Sequence, residues 1–439
     1  MNENPFIFGK PVKNDKFYNR KEEIETAIGF IRSLQSFSVI GERRIGKTSF
    51  LVHILSKERL SEHNMDPEKY IVVYFSISSL YKPTEDTFVK TIVKNIQEKT
   101  EIEIKSVDVF ETLKTLVENL ASDDKNLIIA LDEFEIIAPI LGDFSPQLRH
   151  IFQLPNVVAI TASQKTIGEL SPDGTASPLF NIFSNLSLGL FSKEETEDMI
   201  KDMFHKGEQE LREDEVSFLA DLSGGNPWLI QLLGFHYFNK EMTRGEFENK
   251  MLDQLKDVFE GYWKHLSKEE REFLLNVETS NNNHVGHNLE KKGFVIRENR
   301  KWRIFSPLFQ KFLSTKKEKE ENGKIAEITK KEKKEGKFQR FRKSIKDRLK
   351  RLSLLEIVGW ILIVAIIIYI LLKLLGPLNK PDESFLEDFF QQVAFTSLAI
   401  VLSFHSTRKA TVDTNEEIMK TNQLLQETIK KLDDVADKF

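Results

Sequence analysis

The stretch GERRIGKTSF, residues Gly41 to Phe50, matches the pattern GxxxxGK[ST] at every fixed position. It follows the short apolar run SFSVI and precedes KTSFLVHIL, which has the composition of a helix. A glycine-rich turn between a strand and a helix is the context that separates a phosphate-binding loop from a chance match. The stretch therefore predicts a site for a ligand that carries phosphates.

The residue types of this loop suit a nucleoside triphosphate. Gly41 and Gly46 let the backbone turn so that successive N–H groups point inward at the start of a helix, where an anion is favoured. Lys47 is expected to reach the β- and γ-phosphates, and the Thr48 hydroxyl is expected to bind Mg²⁺. Two further residues of the loop are predicted to contact the nucleotide: Arg44 and Ser49.

A second apolar run, Leu127 to Leu131, ends in the acids Asp132 and Glu133. We expect Asp132 to hold Mg²⁺ through its water shell and Glu133 to polarise the attacking water. The run YIVVYFSI lies between the glycine loop and this acidic pair, the order expected of P-loop ATPases whose catalytic glutamate adjoins the second motif. Glu135 is predicted to be a solvated neighbour. ATP and Mg²⁺ are the expected cofactors.

Two further polar positions have alternative interpretations. Thr161 or Ser163, after a fourth apolar run, could sense the γ-phosphate through a hydrogen bond, or could simply cap the end of a strand. We include Ser163 among the nucleotide contacts. Arg149 could serve a neighbouring subunit as an arginine finger or take part in a surface salt bridge.

The first 190 residues alternate between short apolar runs and longer amphipathic stretches. Each run has the length and mostly the β-branched composition of a strand. Alternating strands and helices predict a mostly parallel sheet covered on both faces, the α/β fold of a P-loop NTPase. The predicted strands are SFSVI before the loop, YIVVYFSI at Tyr70, NLIIALDEF at Asn126, NVVAITAS at Asn156 and NLSLGLF at Asn185.

The following residues change character. Ser192 and Glu195 have the spacing of a capping box at the start of an all-helical region. After it, a helix, a short helix and two strands with a polar turn at Glu298 to Arg300 form the pattern of a winged helix. The predicted domains are residues 1–191 for the ATPase core, 192–250 for a helical lid, 251–314 for the winged helix, 315–353 for a basic linker, 354–407 for a transmembrane hairpin and 408–439 for a short coiled coil.

The C-terminal part is expected to enter a membrane. Leu354 to Gly376 supplies about 20 apolar residues, the length that crosses roughly 30 Å of hydrocarbon. Val393 to Phe404 is shorter and either forms a second span with its flanks or is partly inserted. The tail places Ile418, Leu425 and Leu432 seven residues apart, the seam of a weak coiled coil.

The charge distribution and the absence of cysteine limit the kinds of partner and site that the chain can have. Residues 316–351 contain 16 Lys or Arg against 7 Asp or Glu, although the whole chain has a net charge of -5. This basic linker should attract anionic lipid head groups, or be a plain solvated charge run. Basic residues at both ends of the hairpin place the ATPase, the winged helix and the tail on the cytoplasmic side of the cell membrane. With no cysteine, disulfides and thiolate sites are excluded.

Taken together, these stretches resemble the STAND class of signal-transduction ATPases and related archaeal and bacterial ATPases of the AAA-like P-loop group. The resemblance covers residues 4 to about 314. It is carried by NPFIFGKPV, FYNRKEEI, GERRIGKTSF, LIIALDEFE, VVAITAS and SGGNPWLIQLL. It implies that the winged helix is a structural part of a nucleotide-driven switch.

The resemblance also nominates residues near the nucleotide. It places Arg20, and with less weight Glu23, close to the base, and it places Pro227 of the lid against the bound nucleotide. Two positions depart from the pattern of the class: Asn19 stands where glycine is usual, and the sequence SQK at Ser163 to Lys165 lacks the arginine that commonly follows the serine. The means of sensing the γ-phosphate is therefore open.

The sequence favours a membrane-anchored ATPase switch that assembles into a homo-oligomer for signalling or defence, in response to a trigger that it does not reveal. The alternative is a tethered ATPase that acts on protein or DNA through the winged helix. Lys301 and Arg303 are thin electrostatic support for DNA binding, so a nucleic-acid partner is not expected. A third possibility, a protein that binds ATP without hydrolysing it, is disfavoured by the complete set of Lys47, Thr48, Asp132 and Glu133.

Overall fold

A computed structural model of the chain describes residues 3–12, 16–102, 104, 108–137, 140–170, 179, 181–238, 242–280, 282–319 and 423. The chain divides into two compact units, Met1–Glu321 and Asn322–Phe439. All of the described residues except Gln423 belong to the first unit.

The first unit contains a sheet of five parallel strands in the order β2-β3-β4-β1-β5. This confirms the predicted α/β fold with a parallel sheet. Strand β4 lies between β1, which leads into the glycine loop, and β3, which ends in Asp132. The strands are β1 Phe37–Ile40, β2 Tyr70–Ser76, β3 Asn126–Asp132, β4 Val157–Ser163 and β5 Ser184–Ser187.

The central strands are apolar on both faces because helices cover the sheet on both sides. On β3, Ile128 and Ala130 join one hydrophobic core, whereas Leu127, Ile129 and Leu131 join the core on the opposite face. The covering helices are α1 Lys21–Arg32, α2 Lys47–Ile54, α3 Lys57–Glu62, α4 Glu85–Thr100, α5 Val109–Ser122, α6 Leu141–Phe152 and α7 Ile167–Leu170.

The fifth strand is shorter than the run that predicted it. β5 ends at Ser187, although the apolar run continues to Phe191. The Phe191 N–H donates a 2.8 Å hydrogen bond to the Gly225 carbonyl, and the Phe191 ring belongs to a third hydrophobic core. The residues after Ser187 are apolar because they pack in hydrophobic cores: Leu188 in a core of the sheet and Phe191 in the third core.

Those helices are α8 Lys193–Lys206, α9 Glu213–Ser223, α10 Pro227–Tyr237 and α11 Arg244–His265. The predicted capping box is confirmed: Ser192 and Glu195 exchange both hydrogen bonds at the start of α8. Helix α11 runs across residues 250 and 251, where the sequence placed a domain boundary. Met251 and Leu255 lie in the same third core as α8 and α10.

Two more helices, α12 Lys268–Leu275 and α13 Asn283–Lys291, precede an antiparallel pair, β6 Val295–Glu298 and β7 Lys301–Ile304. The turn residues Asn299 and Arg300 both have positive φ, which suits a two-residue hairpin turn. A last helix covers residues 307–319. These elements also pack into the third core, through Trp302 and Phe309.

Within the described ranges, no helix combines the length and the apolar character needed to cross a bilayer. The predicted membrane hairpin lies outside those ranges, as do the predicted coiled coil apart from Gln423 and nearly all of the predicted basic linker.

Candidate functional site

The loop between β1 and α2 curls at the start of α2. Each of its two glycines is needed there for a different steric reason. A Cβ on Gly41 would lie 2.7 Å from Ile45 Cγ2 and 2.9 Å from the Leu188 carbonyl oxygen, so a side chain has no room there. Gly46 has φ +100°, a conformation that favours glycine. The resulting curl directs backbone N–H groups at the N-terminus of α2, where an anion is stabilised.

Lys47 places a cation inside this curl. Its Nζ donates hydrogen bonds of 2.8 Å to the Gly41 carbonyl and 3.1 Å to the Glu42 carbonyl. Burial lowers the pKa of Lys47, while the carboxylates of Glu135, Glu42 and Asp132 oppose that shift. The side chain is thus held at the loop where phosphates would lie.

Thr48 and Asp132 meet at the carboxyl edge of the sheet. The Thr48 hydroxyl donates a 2.6 Å hydrogen bond to Asp132 Oδ2, and the Tyr74 hydroxyl lies 3.4 Å from the same oxygen. Burial raises the pKa of Asp132, and the hydrogen bond from Thr48 opposes this. A hydroxyl and a carboxylate side by side are ligands that suit Mg²⁺.

Glu133 is placed differently from Asp132, although the two are adjacent. Its backbone is left-handed, with φ 56°, and its side chain is exposed at the cleft. The Ser76 hydroxyl donates a 2.6 Å hydrogen bond to Glu133 Oε2. Hydrogen bonds from Ser76 and Ser78 hold the pKa of Glu133 below its ordinary value. Glu133 therefore stays a carboxylate at the mouth of the site, where water can reach it.

Sequence reasoning missed Ser76, although a signal was available. Ser76 ends a strand that the sequence predicted, and in the parallel register it stands opposite Asp132. The end of one parallel strand lies beside the end of the next, so a polar residue there faces the same edge.

The structure does not bring Ser163 into the cleft. Its hydroxyl is buried and donates a 2.6 Å hydrogen bond to the Lys165 carbonyl, and Thr161 is buried in a 2.7 Å contact with Ser38. The next residue, Gln164, lines the cleft instead. Both hydroxyls are therefore engaged within the fold, and neither residue is among those that line the cleft.

Gln164 is hydrogen-bonded to Glu135, a contact that the sequence did not predict. Gln164 Nε2 donates a 2.9 Å hydrogen bond to Glu135 Oε1, while Glu135 Oε2 is buried without a hydrogen-bond partner. Glu135 is half-buried in the cleft rather than a solvated neighbour, which corrects the expectation. The spacing of Glu135, two residues after Glu133, was the available signal.

Arg20 also lines the cleft, but its guanidinium is engaged by the protein. Nη1 donates a 3.0 Å hydrogen bond to Glu23, Nη2 donates to the Gly189 carbonyl, and the group lies 4.6 Å from the Phe191 ring centroid. Burial lowers the pKa of Arg20. Glu23 is its ion-pair partner and is not among the residues lining the cleft. Asn19, which replaces a glycine of the class, has φ 61°, a conformation that asparagine tolerates better than most residues.

Arg44 and Pro227 bring the loop and α10 together. The Arg44 guanidinium lies 4.2 Å from the Trp228 ring centroid, and Pro227 Cγ would be 4.0 Å from a Cβ on Gly46. Ser49 lines the cleft as predicted, but its hydroxyl accepts a 3.1 Å hydrogen bond from the Val12 N–H. Its contact with the N-terminal segment could not be read from the loop alone.

Lys47, Thr48, Asp132 and Glu133 are among the residues that line a cleft of about 980 Å³, a size common for ligand sites. Its described lining contains more cations than acids. The acids are Asp132, Glu133, Glu135 and Asp257, and the cations are Lys10, Lys16, Arg20, Arg43, Arg44 and Lys47. Among the described residues no three His, Asp or Glu side chains are grouped to hold a metal ion by themselves.

Comparison with known proteins adds the family. The model of the family described as Novel STAND NTPase 2 matches residues 27–281, more than half of the chain. None of the curated protein sequences compared with the chain matches it.

Solved structures are similar in fold. A Walker-type ATPase of Pyrococcus abyssi has a TM-score of 0.53 and 18% identity, covering 71% of this chain and 99% of its own. The ORC2 protein of Aeropyrum pernix has a TM-score of 0.42 and 13% identity, covering 72% and 98%. The RuvB Holliday junction branch migration motor of Thermotoga maritima has a TM-score of 0.37 and 16% identity, covering 67% and 94%. The similarity to the Pyrococcus abyssi ATPase concerns the fold alone. The similarities to the other two structures add nothing to that conclusion.

Proposed function

Because this chain belongs to the Novel STAND NTPase 2 family of P-loop NTPases, we propose that it is a molecular switch that binds and hydrolyses ATP. The observation that carries the proposal is the meeting of Lys47, the Thr48–Asp132 pair and Glu133 at one edge of the sheet, inside one cleft. This set contains a phosphate-binding cation, oxygen ligands for a metal and a carboxylate that water can reach.

Mg²⁺ is the proposed metal, held with the nucleotide by Thr48 and Asp132. When bound, it would neutralise charge on the phosphates. The chain's own contribution is to fix the two oxygens 2.6 Å apart. Lys47 lies one residue before Thr48, so the same turn of α2 would place a cation and a metal ligand at the phosphates.

Glu133 is the proposed general base. Glu133 is ionised at neutral pH and can therefore accept a proton from the attacking water, and its lowered pKa extends the ionised form to more acid conditions. The hydrogen bond from Ser76 fixes the direction of the carboxylate. Asp132 differs, since it is buried and faces Thr48, and these surroundings support the division of roles between the two acids.

The switch itself is proposed to involve residues 192–250 as a helical lid and 251–314 as a winged helix. Both ranges contribute to the third core, which is separate from the two cores of the sheet. Pro227 of α10 lies against the glycine loop. A ligand shifts such an equilibrium only through its different affinity for the two arrangements, so ATP and ADP must differ in their contacts with the helical part.

Residues 315–353, 354–407 and 408–439 are proposed to be a basic linker, a membrane hairpin and a short coiled coil, with both ends on the cytoplasmic side of the cell membrane. The charge and hydropathy of the sequence support this. Carbonate extraction of membranes carrying the full chain tests the spans, since a peripheral protein is released at high pH. Replacement of Lys330, Lys331, Lys333 and Lys334 by glutamine should weaken flotation with anionic vesicles and leave neutral vesicles unaffected.

Assembly is the proposed output of the switch. We expect detergent-purified Glu133→Gln protein to form a larger homo-oligomer with ATP than with ADP, as measured by mass photometry. Adding Lys47→Ala to the same protein should abolish the difference. Equal sizes with both nucleotides would reject nucleotide-driven assembly and favour a tethered ATPase.

The alternative function, action on DNA through the proposed winged helix, has less support. Arg303 forms a 2.9 Å ion pair with Glu298, so one of the two candidate cations already has an acidic partner. Duplex binding that weakens with salt and with Lys301→Ala would restore this alternative.

A further inference from the structure

Arg44 is one of the residues through which the glycine loop contacts the helical part of the protein. Its guanidinium carbon lies 4.2 Å from the Trp228 ring centroid, at the start of α10. The Tyr262 hydroxyl of α11 lies 3.5 Å from the carbonyl oxygen of the preceding residue, Arg43. The loop therefore contacts two helices of the third core through adjacent residues.

Both contact residues belong to that third core. Tyr262 is buried in it, and Trp228 packs against it. The loop itself belongs elsewhere: Ile45, next to Arg44, lies in a core beneath the sheet. A movement of the Arg44 side chain would therefore affect the third core, which packs separately from the cores of the sheet.

The helical side of the cleft offers a polyphosphate no positive charge of its own. The described lining residues on α8, α10 and α11 include one acid, Asp257, and no Lys or Arg. All of the lining cations lie on the N-terminal segment, at Arg20 or on the loop. An additional phosphate would repel Asp257, but it can attract only these cations, and Arg44 is the loop cation stacked on α10.

The backbone of Arg44 is left-handed, with φ 66°. Residues other than glycine take up this conformation only where the surroundings hold them in it. Here it directs the side chain from the loop to the Trp228 ring.

We propose that Arg44 distinguishes ATP from ADP: its guanidinium is stacked on Trp228 when the terminal phosphate is missing and moves to that phosphate when it is present. A charge-assisted hydrogen bond to phosphate is stronger than a contact with a ring face. The move releases Trp228 and so removes the stacking contact between the loop and α10. This inference rests on the proposed function and deepens it by naming the residue that reports the γ-phosphate to the lid.

The first test compares affinities by isothermal titration calorimetry, in Glu133→Gln protein so that ATP remains intact. Adding Arg44→Gln should weaken ATP binding about ten- to hundredfold and leave ADP binding within about twofold. Adding Lys47→Ala should weaken both. Equal losses for ATP and ADP, or no loss for either, overturn the inference. If the Glu133→Gln protein binds neither nucleotide, the proposed function fails instead.

The second test uses Trp228 as a reporter, independent of turnover. The chain has 4 tryptophans, so the Trp228→Phe variant identifies the contribution of Trp228 to the emission. We expect ATP and ADP to give different emission spectra in Glu133→Gln protein, and the same spectrum once Trp228→Phe or Arg44→Gln is added. If the ATP and ADP spectra still differ in both variants, the proposed movement of Arg44 from Trp228 to the terminal phosphate is rejected. Arg44→Lys, which keeps the charge, controls for loss of folding and should retain part of the ATP preference.

Discussion

The hydroxyl of Ser76 donates a 2.6 Å hydrogen bond to Oε2 of Glu133, across the ends of two neighbouring parallel strands. Together with Ser78 it holds the pKa of Glu133 below its ordinary value. The hydrogen bond from Ser76, at the end of the neighbouring strand β2, thus helps to keep the proposed general base ionised as the pH falls.

Replacing Ser76 with alanine should raise the pKa of Glu133 towards its ordinary value. Since the carboxylate form is the active one, the acid limb of the pH–rate profile for ATP hydrolysis should move to higher pH. Ser79→Ala is the matched control, because the Ser79 hydroxyl donates to the Ser76 carbonyl and not to Glu133. An acid limb that stays in place in Ser76→Ala would separate Ser76 from the chemistry.

Thr48→Val keeps the shape of the side chain and removes the hydroxyl that faces Asp132. We expect the gain in ATP affinity that Mg²⁺ provides to fall by about tenfold or more, as measured by titration with Mg²⁺ and with EDTA. Thr48→Ser keeps the hydroxyl and should keep the gain. If Thr48→Val retains full Mg²⁺ dependence, Thr48 is not a metal ligand.

Gly225→Ala should destabilise the protein by at least about 2 kcal/mol. Gly225 has φ +77°, and a Cβ there would lie 2.2 Å from the Phe191 carbonyl oxygen. Gly29→Ala is the contrasting control, since Gly29 is in helix α1 with no atom within 4 Å of its added Cβ. It should stabilise by about 0.5–1 kcal/mol. Urea unfolding of the two variants tests the opposite signs.

His53 should make the protein less stable in acid. Burial, with a smaller effect of Arg59, lowers the pKa of His53 from 6.5 to about 4. The unfolded chain therefore binds a proton that the folded chain does not, and stability is lost as the pH falls from 6.5 towards 4. The loss should be about 2 kcal/mol at pH 5 relative to pH 7.5.

Urea unfolding at these two pH values measures it. His53→Leu should remove this part of the pH dependence, whereas His284→Gln, at an exposed position, should leave it unchanged. The same pH dependence in His53→Leu as in the unsubstituted chain would contradict the assignment.

The sequence was sufficient where local pattern and tertiary structure agree. The glycine loop, the acids Asp132 and Glu133 at the end of β3 and the runs that form β1 to β4 are each defined within about ten residues. Strands β1, β3 and β4 are largely buried on both faces, so their apolar composition identifies them without knowledge of their neighbours.

It was insufficient where a residue's partner is distant in the chain. Ser49 contacts Val12, Arg44 contacts Trp228, and Phe191 leaves the sheet to join a core formed by later helices. Ser163 shows another limit: its hydroxyl turns to the nearby Lys165 carbonyl, and the longer Gln164 side chain reaches the cleft. The amino-acid composition of a strand does not reveal the direction in which the side chain at its end will point.

The N-terminal segment has a consequence for the order in which the chain folds. The Phe6 ring is buried among helices α8 and α10, and the Ile7 N–H donates a 2.8 Å hydrogen bond to Gln231, 224 residues later. At a synthesis rate of about 5–20 residues per second, this segment waits on the order of ten to forty seconds for its partners. During that time the Phe6 ring lacks the helices that bury it, so a segment made before the sheet is among the last parts of the described chain to become buried.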